Sequence, residues 1–179
     1  MTKITVTNHL TLDGVMEYPE DWATPYQDDV MGAKLGEGMQ RHGALLLGRK
    51  TYEAFYSYWP KQKDNPISDL LNRRQKYVVS RTLSEPLPWE NSTLVREDEL
   101  AGLKERAGVD LAVLGSGDLL QTLMAQGLVD EYLLMIHPLV RGTGQRMFPD
   151  GAAPLNLKLA ESITSTTGVV LATYVKESG

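Results

Sequence analysis

With 179 residues, 42% of them hydrophobic and 23% charged, the chain has the size and composition of one globular domain able to bury a sizeable core. Its 23 acidic against 18 basic residues leave a net charge of -5, which argues against nucleic-acid partners. The lack of any cysteine excludes disulfides, thiolate metal sites and cysteine nucleophiles, and no apolar run approaches the roughly 20 residues that span a bilayer.

The N-terminal stretch Met1–Val6 alternates like a strand and lacks the apolar block of a signal peptide, so a cytoplasmic protein is expected. Thr5 to His9 reads as the first strand. A turn-rich segment from Thr11 to Pro25, holding Asp13, Gly14, Pro19 and Pro25, is long for a structureless loop, which points to a functional one. Met31, Leu35 and Met39 recur every four residues and mark a helix face; close packing on a strand would explain Gly32, Gly36 and Gly38 within it. The strand Ala44 to Leu47 leads into a short aromatic helix (Tyr52, Phe55, Tyr56) ending near Trp59 and Pro60.

A helix from about Ile67 to Arg74 precedes the strand Tyr77–Val79, and Thr93–Val95 reads as another short strand. The basic cluster Arg73, Arg74 and Lys76 is expected to be a solvated helix end. Leu100, Leu103 and Ala107 mark a helix face, Leu111–Leu114 a buried strand, and Leu119, Leu120, Leu123 and Met124 the helix after it. Tyr132–Ile136 is a strand, Gly142 to Pro154 a glycine- and proline-rich link, and Leu157–Thr166 with Val169–Lys176 a closing hairpin. Strands alternating with helices predict an α/β fold in layers: a mostly parallel sheet, an antiparallel C-terminal hairpin and helices on both faces.

Two of these strands stop at glycine and run into a helix, at Gly48-Arg49-Lys50-Thr51 and at Gly115-Ser116-Gly117-Asp118-Leu119. A third ends on Ser80-Arg81-Thr82. Glycine lets a backbone approach a ligand, and amides at a helix start favour anions, so the three junctions together point to a nucleotide's phosphates. Neither junction completes a P-loop or a G-x-G-x-x-G fingerprint: one residue too many separates Gly48 from Lys50, and Leu120 stands at the third glycine position. Arg49 and Arg81 follow the ends of parallel strands, where open α/β sheets bind ligands. Arg81 between two hydroxyls suits a 2′-phosphate, the alternative being two surface arginines. His9, His42 and His137 are scattered without ligand-like spacing, and no metal site is expected. Asp13 and Glu17 in the first loop are candidates to face a substrate. The aromatic cluster Tyr52, Phe55, Tyr56, Tyr58 and Trp59 fits either a pocket for a flat ring or core and interface packing.

The order of Thr11-Leu12-Asp13-Gly14-Val15, LLLGRKTYEAF, YVVSRT, VLGSGDLLQTL and Leu128–Tyr132, followed by His137–Gly144 and Met147-Phe148, resembles the dihydrofolate-reductase-like superfamily. The nearest likeness is to stand-alone relatives of the riboflavin-biosynthesis reductase domain, and it covers essentially the whole chain. The resemblance implies a three-layer dihydrofolate-reductase-like fold and NADPH as cofactor. It implies that Gly48, Arg49, Lys50 and Thr51 touch the pyrophosphate and adenosine phosphate, and that Ser80, Arg81 and Thr82 hold the 2′-phosphate. Gly115, Ser116 and Gly117, with Asp118 and Leu119, would pass under the diphosphate. Asp13 and Glu17 would orient substrate or a proton-bearing water, with Leu12, Gly14, Tyr52 and Phe55 beside the substrate.

The expected function is therefore an NADPH-dependent reductase delivering hydride to a small heterocyclic or carbonyl/imine substrate, similar to 5-amino-6-(5-phosphoribosylamino)uracil reductase. The alternative is a non-catalytic nucleotide-binding or sensor protein of the same fold. Dihydrofolate reduction is disfavoured because the helix acid of folate reductases falls near Gly32, beside Met31 and Ala33, while Asp28 and Asp29 lie a turn too early. The loop from Glu17 to Pro25 is acidic and offers no phosphoribosyl-binding basic residue. A homodimer is expected from the two-faced apolar strand Tyr132–Ile136, which full burial within one monomer explains equally well.

Overall fold

Eight strands form one sheet in the order β4-β3-β2-β5-β1-β6-β8-β7, seen in a computed structural model that describes residues 1–177. The strands are β1 (Ile4–Thr11), β2 (Ala44–Gly48), β3 (Gln75–Val79), β4 (Ser92–Val95), β5 (Leu111–Leu114), β6 (Glu131–His137), β7 (Leu157–Thr164) and β8 (Val170–Lys176). Pairings from β4 through to β6 are parallel, and β8 joins β6 and β7 antiparallel, so the predicted sheet is the one observed. The helices are α1 (Asp29–Arg41), α2 (Arg49–Tyr58), α3 (Pro66–Arg73), α4 (Leu100–Arg106) and α5 (Gly117–Ala125). Among the described residues no helix is long and apolar enough to cross a membrane.

The apolar runs of β2, β5 and β6 are uninterrupted because both sheet faces are covered. On one face Val6, Leu10, Leu46, Val113 and Leu134 meet α4 and α5 through Leu100, Leu103, Leu120 and Leu123. On the other, Leu45, Leu47, Val78 and Ala112 meet α2 and α3 through Tyr52 and Leu71, while Leu133 and Met135 meet Met31 of α1. Strand alternation thus sends α2 and α5, which follow neighbouring strands, to opposite faces. Tyr132, Leu133, Leu134 and Met135 are all buried by this arrangement, so the two-faced strand is monomer core and does not call for a partner.

Two local expectations are revised. The α1 glycines Gly32, Gly36 and Gly38 have no atom within 4 Å of an added Cβ, so no close approach to a strand explains them. Helix α1 is held at its N-terminal end: the Asp28 carboxylate accepts from the Met31 amide (2.9 Å) and from the amide and hydroxyl of Thr166 (2.6 and 2.7 Å). Lys76 is not solvated; its side chain is fully buried, and its ammonium donates to the carbonyls of Leu71, Asn72 and Arg74 at 2.7, 3.2 and 2.7 Å while lying 4.4 Å from the Trp89 ring centre. It closes the C-terminal end of α3, where helix carbonyls lack intrahelical partners, and burial pulls its pKa down to about 8.

Candidate functional site

The turn from β2 into α2 and the turn from β5 into α5 lie side by side at the carboxyl edge of the sheet, at the point where successive helices change face. Open α/β sheets offer a crevice there because the two connections diverge. The turns are tied to each other and to β1. Ser116 Oγ accepts from the Gly48 amide at 3.0 Å and donates to the Leu114 carbonyl at 3.2 Å. Thr51 Oγ1 accepts from the Ser116 amide at 3.2 Å, and Asn8 Oδ1 accepts from the Gly115 amide at 3.0 Å. Gly115 and Ser116 both take left-handed backbone (φ 62° and 57°), which turns the chain abruptly into α5.

No side chain caps either helix. The first amides of a helix have no intrahelical acceptor, so those of Arg49, Lys50 and Thr51, and of Gly117, Asp118 and Leu119, are left to serve whatever enters the crevice. These residues line a groove of about 590 Å³, together with Gly48, Gly115 and Ser116. Ser80, Arg81 and Thr82, at the end of β3, line the same groove. The Ser80 hydroxyl accepts from the Thr82 and Leu83 amides (3.1 and 3.0 Å), and the Arg96 guanidinium bonds the Ser80 carbonyl, so this turn is held rigidly. All twelve residues that the sequence offers for cofactor contact therefore share one groove wall or another.

The candidates for substrate and catalysis divide. Glu17 lines the groove, and its carboxylate accepts from the Gln145 amide at 3.1 Å. Asp13 does not line it. Its carboxylate accepts from the Thr11 hydroxyl (2.5 Å) and from the Gly142 and Arg141 amides (2.7 and 3.2 Å), tying the first loop to the link after β6. The Thr11 hydrogen bond, with those amides, lowers its pKa to about 2, so it has no proton to donate at ordinary pH. Leu12 is exposed, and Gly14 forms the tight turn (φ 81°) that lets its neighbour Val15 bridge to Arg146. Tyr52 and Phe55 are directed away from the groove: Tyr52 is buried, its hydroxyl accepts from the Trp89 amide at 3.0 Å, and Phe55 packs against the same apolar cluster. These two side chains are core, because the helix face that meets the sheet is the one they occupy.

The sequence reading did not offer Met16, Tyr18, Pro19, Val79, Glu97, Thr122 or Gln145 as site residues, yet all of them line the groove. Distances along the chain hide such contributions; the acidic run Glu97–Glu99, one residue past an apolar strand, is the one local signal that could have pointed to the groove. The histidines are also less scattered than they look. Parallel pairing of β1 with β6 brings His9 Nδ1 within 2.9 Å of His137 Nε2, and Trp22 and Tyr26 from the first loop pack edge-on against His137.

Burial first, and then the charge of His137, lower the His9 pKa to about 4. The unfolded chain binds this proton more tightly, so folding stability holds above the ordinary histidine value and falls as pH drops from about 6.5 to 4, by on the order of 3 kcal/mol. Urea unfolding at a series of pH values should show this loss, and His9→Gln should flatten that part of the curve. An unchanged slope in the variant would assign the acid sensitivity to other groups, the buried His42 and His137 among them.

Residues 2–171 match the family model described as RibD C-terminal domain. The uncharacterized protein YyaP of Bacillus subtilis (strain 168) is 33% identical over 176 residues, covering 92% of this chain and 90% of that protein. A pyrimidine reductase-like protein of Corynebacterium diphtheriae superimposes with a TM-score of 0.70 at 14% identity, over 99% of this chain and 93% of its own. The dihydrofolate reductase of Enterococcus faecalis, solved with NADP(H), superimposes with a TM-score of 0.66 at 12% identity, over 98% and 97% of the two chains. The fold is thus dihydrofolate-reductase-like.

Proposed function

The chain belongs to the RibD C-terminal domain family, and from that membership we propose that it is a reductase using NADPH, held across the groove, to reduce a small heterocyclic or carbonyl/imine substrate. A reductase and a nicotinamide cofactor accord with the pyrimidine reductase-like neighbour and with the NADP(H) bound in the folate reductase. One observation carries the reading: two uncapped helix starts and a hydroxyl-flanked arginine, contributed by three parallel strands, face a single groove. Helix starts stabilise an anion without a charged side chain, which suits a pyrophosphate. Ser80, Arg81 and Thr82 suit a phosphate on the adenosine ribose. Gly117 lets the Gln145 side chain lie against the α5 start, since an added Cβ there falls 2.5 Å from it.

When bound, the dinucleotide supplies the hydride. The chain's part is to bind, to orient and to hold water where a proton is needed. Glu17 is the carboxylate placed to hold such a water or a polar group of the substrate, because it lines the groove and Asp13 does not. Asp13 is a positioning residue: by binding the Arg141 and Gly142 amides it holds the link that carries Gln145 into the groove. Dihydrofolate reduction is not favoured, since Gly32 offers no carboxylate at the position of the folate reductase acid and Asp28 is engaged at the α1 start.

Fluorescence titration with NADPH and NADH, followed by a pyrimidine, pterin and aldehyde panel read as NADPH oxidation, tests this reading. Arg81→Ala should weaken NADPH by at least about tenfold and NADH by far less. Equal losses for both cofactors would remove the 2′-phosphate role from Arg81. NADPH binding without oxidation across the panel would favour a nucleotide-binding sensor instead.

A further inference from the structure

The parallel register of β3 with β4 sets Val79 beside Val95, so the residues that follow each strand emerge together at the groove. Arg81 follows β3 and Glu97 follows β4, and their guanidinium and carboxylate meet at 2.6 Å, with side chains 78% and 35% exposed. Both line the groove. Arg96, next to Glu97, does not line the groove and bonds the carbonyls of Ser80 and Leu83 instead. The phosphate-binding arginine therefore already has a counterion, and the chain itself supplies it.

The rest of the groove is balanced in the same way. Its three cations Arg49, Lys50 and Arg81 are matched in number by the carboxylates Glu17, Glu97 and Asp118, and Arg49 is paired to Glu53 at 2.9 Å. A ribose 2′-phosphate carries close to two negative charges near neutral pH and would enter beside Glu97. A ribose 2′-hydroxyl would instead donate to that carboxylate, the arrangement by which acidic residues select NAD over NADP. Arg81 and Glu97 thus favour opposite cofactors from one position.

Building on the reading of the groove as a dinucleotide site, we propose that Glu97 sets the cofactor preference by opposing Arg81, so that NADH binds within about tenfold of NADPH. The pair is exposed, so its attraction is modest and a phosphate can displace the carboxylate. Displacement leaves Glu97 close to the phosphate, and that repulsion offsets part of the gain from Arg81.

The test is titration of the wild type, Glu97→Gln and the double variant Glu97→Gln/Arg81→Ala with NADPH and with NADH. Glu97→Gln should tighten NADPH by about tenfold while NADH stays unchanged or weakens, and the double variant should lose that gain. A Glu97→Gln variant that shifts both cofactors equally, or neither, overturns the role of Glu97 and leaves the groove standing as the dinucleotide site. So does a gain that survives loss of Arg81. Failure of the wild type and the variant to bind either cofactor overturns the dinucleotide reading of the groove, and this inference with it.

Discussion

Gly117→Val should abolish dinucleotide binding, with a loss of at least about 100-fold, near 3 kcal/mol, while the protein stays folded. Gly117 opens α5 and lines the groove at the end where the helix amides have no partner. A Cβ there falls 2.5 to 2.7 Å from three atoms of the Gln145 side chain. That neighbour is the far end of a flexible side chain, which can swing aside, so the fold tolerates the change. The two added methyl groups would then crowd the α5 start, where the proposed reading puts a pyrophosphate. Fluorescence titration gives the affinity, and circular dichroism with a thermal melt shows that the fold persists. Affinity near that of the wild type would mean that the α5 start is not the phosphate cradle.

Tyr52→Ala should cost about 4 kcal/mol of stability, the range seen when a large aromatic side chain is deleted from a core. Tyr52 is 2% exposed, its ring lies 6.0 Å from that of Trp89 and 6.3 Å from that of Tyr56, and its hydroxyl holds the Trp89 amide. Deletion opens a cavity between α2 and the sheet and leaves that amide without an acceptor. Tyr52→Phe isolates the second effect and should cost about 1 kcal/mol. Chemical unfolding of both variants measures the two terms. If Tyr52→Phe left stability untouched but impaired turnover in an active enzyme, the tyrosine would belong with the substrate after all. Its position near the groove-lining Thr51 explains why sequence reasoning placed it there: adjacent helix residues differ by 100° in direction, and only packing decides which one turns inward.

The groove residues that could be read in advance share one property. Gly48, Ser80, Gly115 and their neighbours sit at the ends of buried parallel strands, and strand ends in such sheets are brought to one edge by the pairing itself. A linear motif therefore carries its place in the fold with it. The first loop behaves differently. Asp13 and Glu17 lie four residues apart, are chemically alike and both bind backbone amides of the link after β6, yet only Glu17 also lines the groove. Nothing in their local sequence separates them, because the difference depends on where residues 141–145 pass.

The amino-acid sequence by itself determined the elements and their order, since strand-length apolar runs bounded by glycine and hydroxyl residues admit few alternatives once both sheet faces must be covered. It also determined that three strand ends carry anion-compatible chemistry. Tertiary structure alone decided which charges oppose one another. Arg81 and Glu97 meet through the β3–β4 register, and His9 and His137 through that of β1 with β6. Tertiary packing also sets the Trp89 ring against the Lys76 ammonium at the end of α3. Electrostatic and hydrogen-bond partners act across space over a few ångströms, whereas local pattern acts along the chain, and only the folded sheet joins the two.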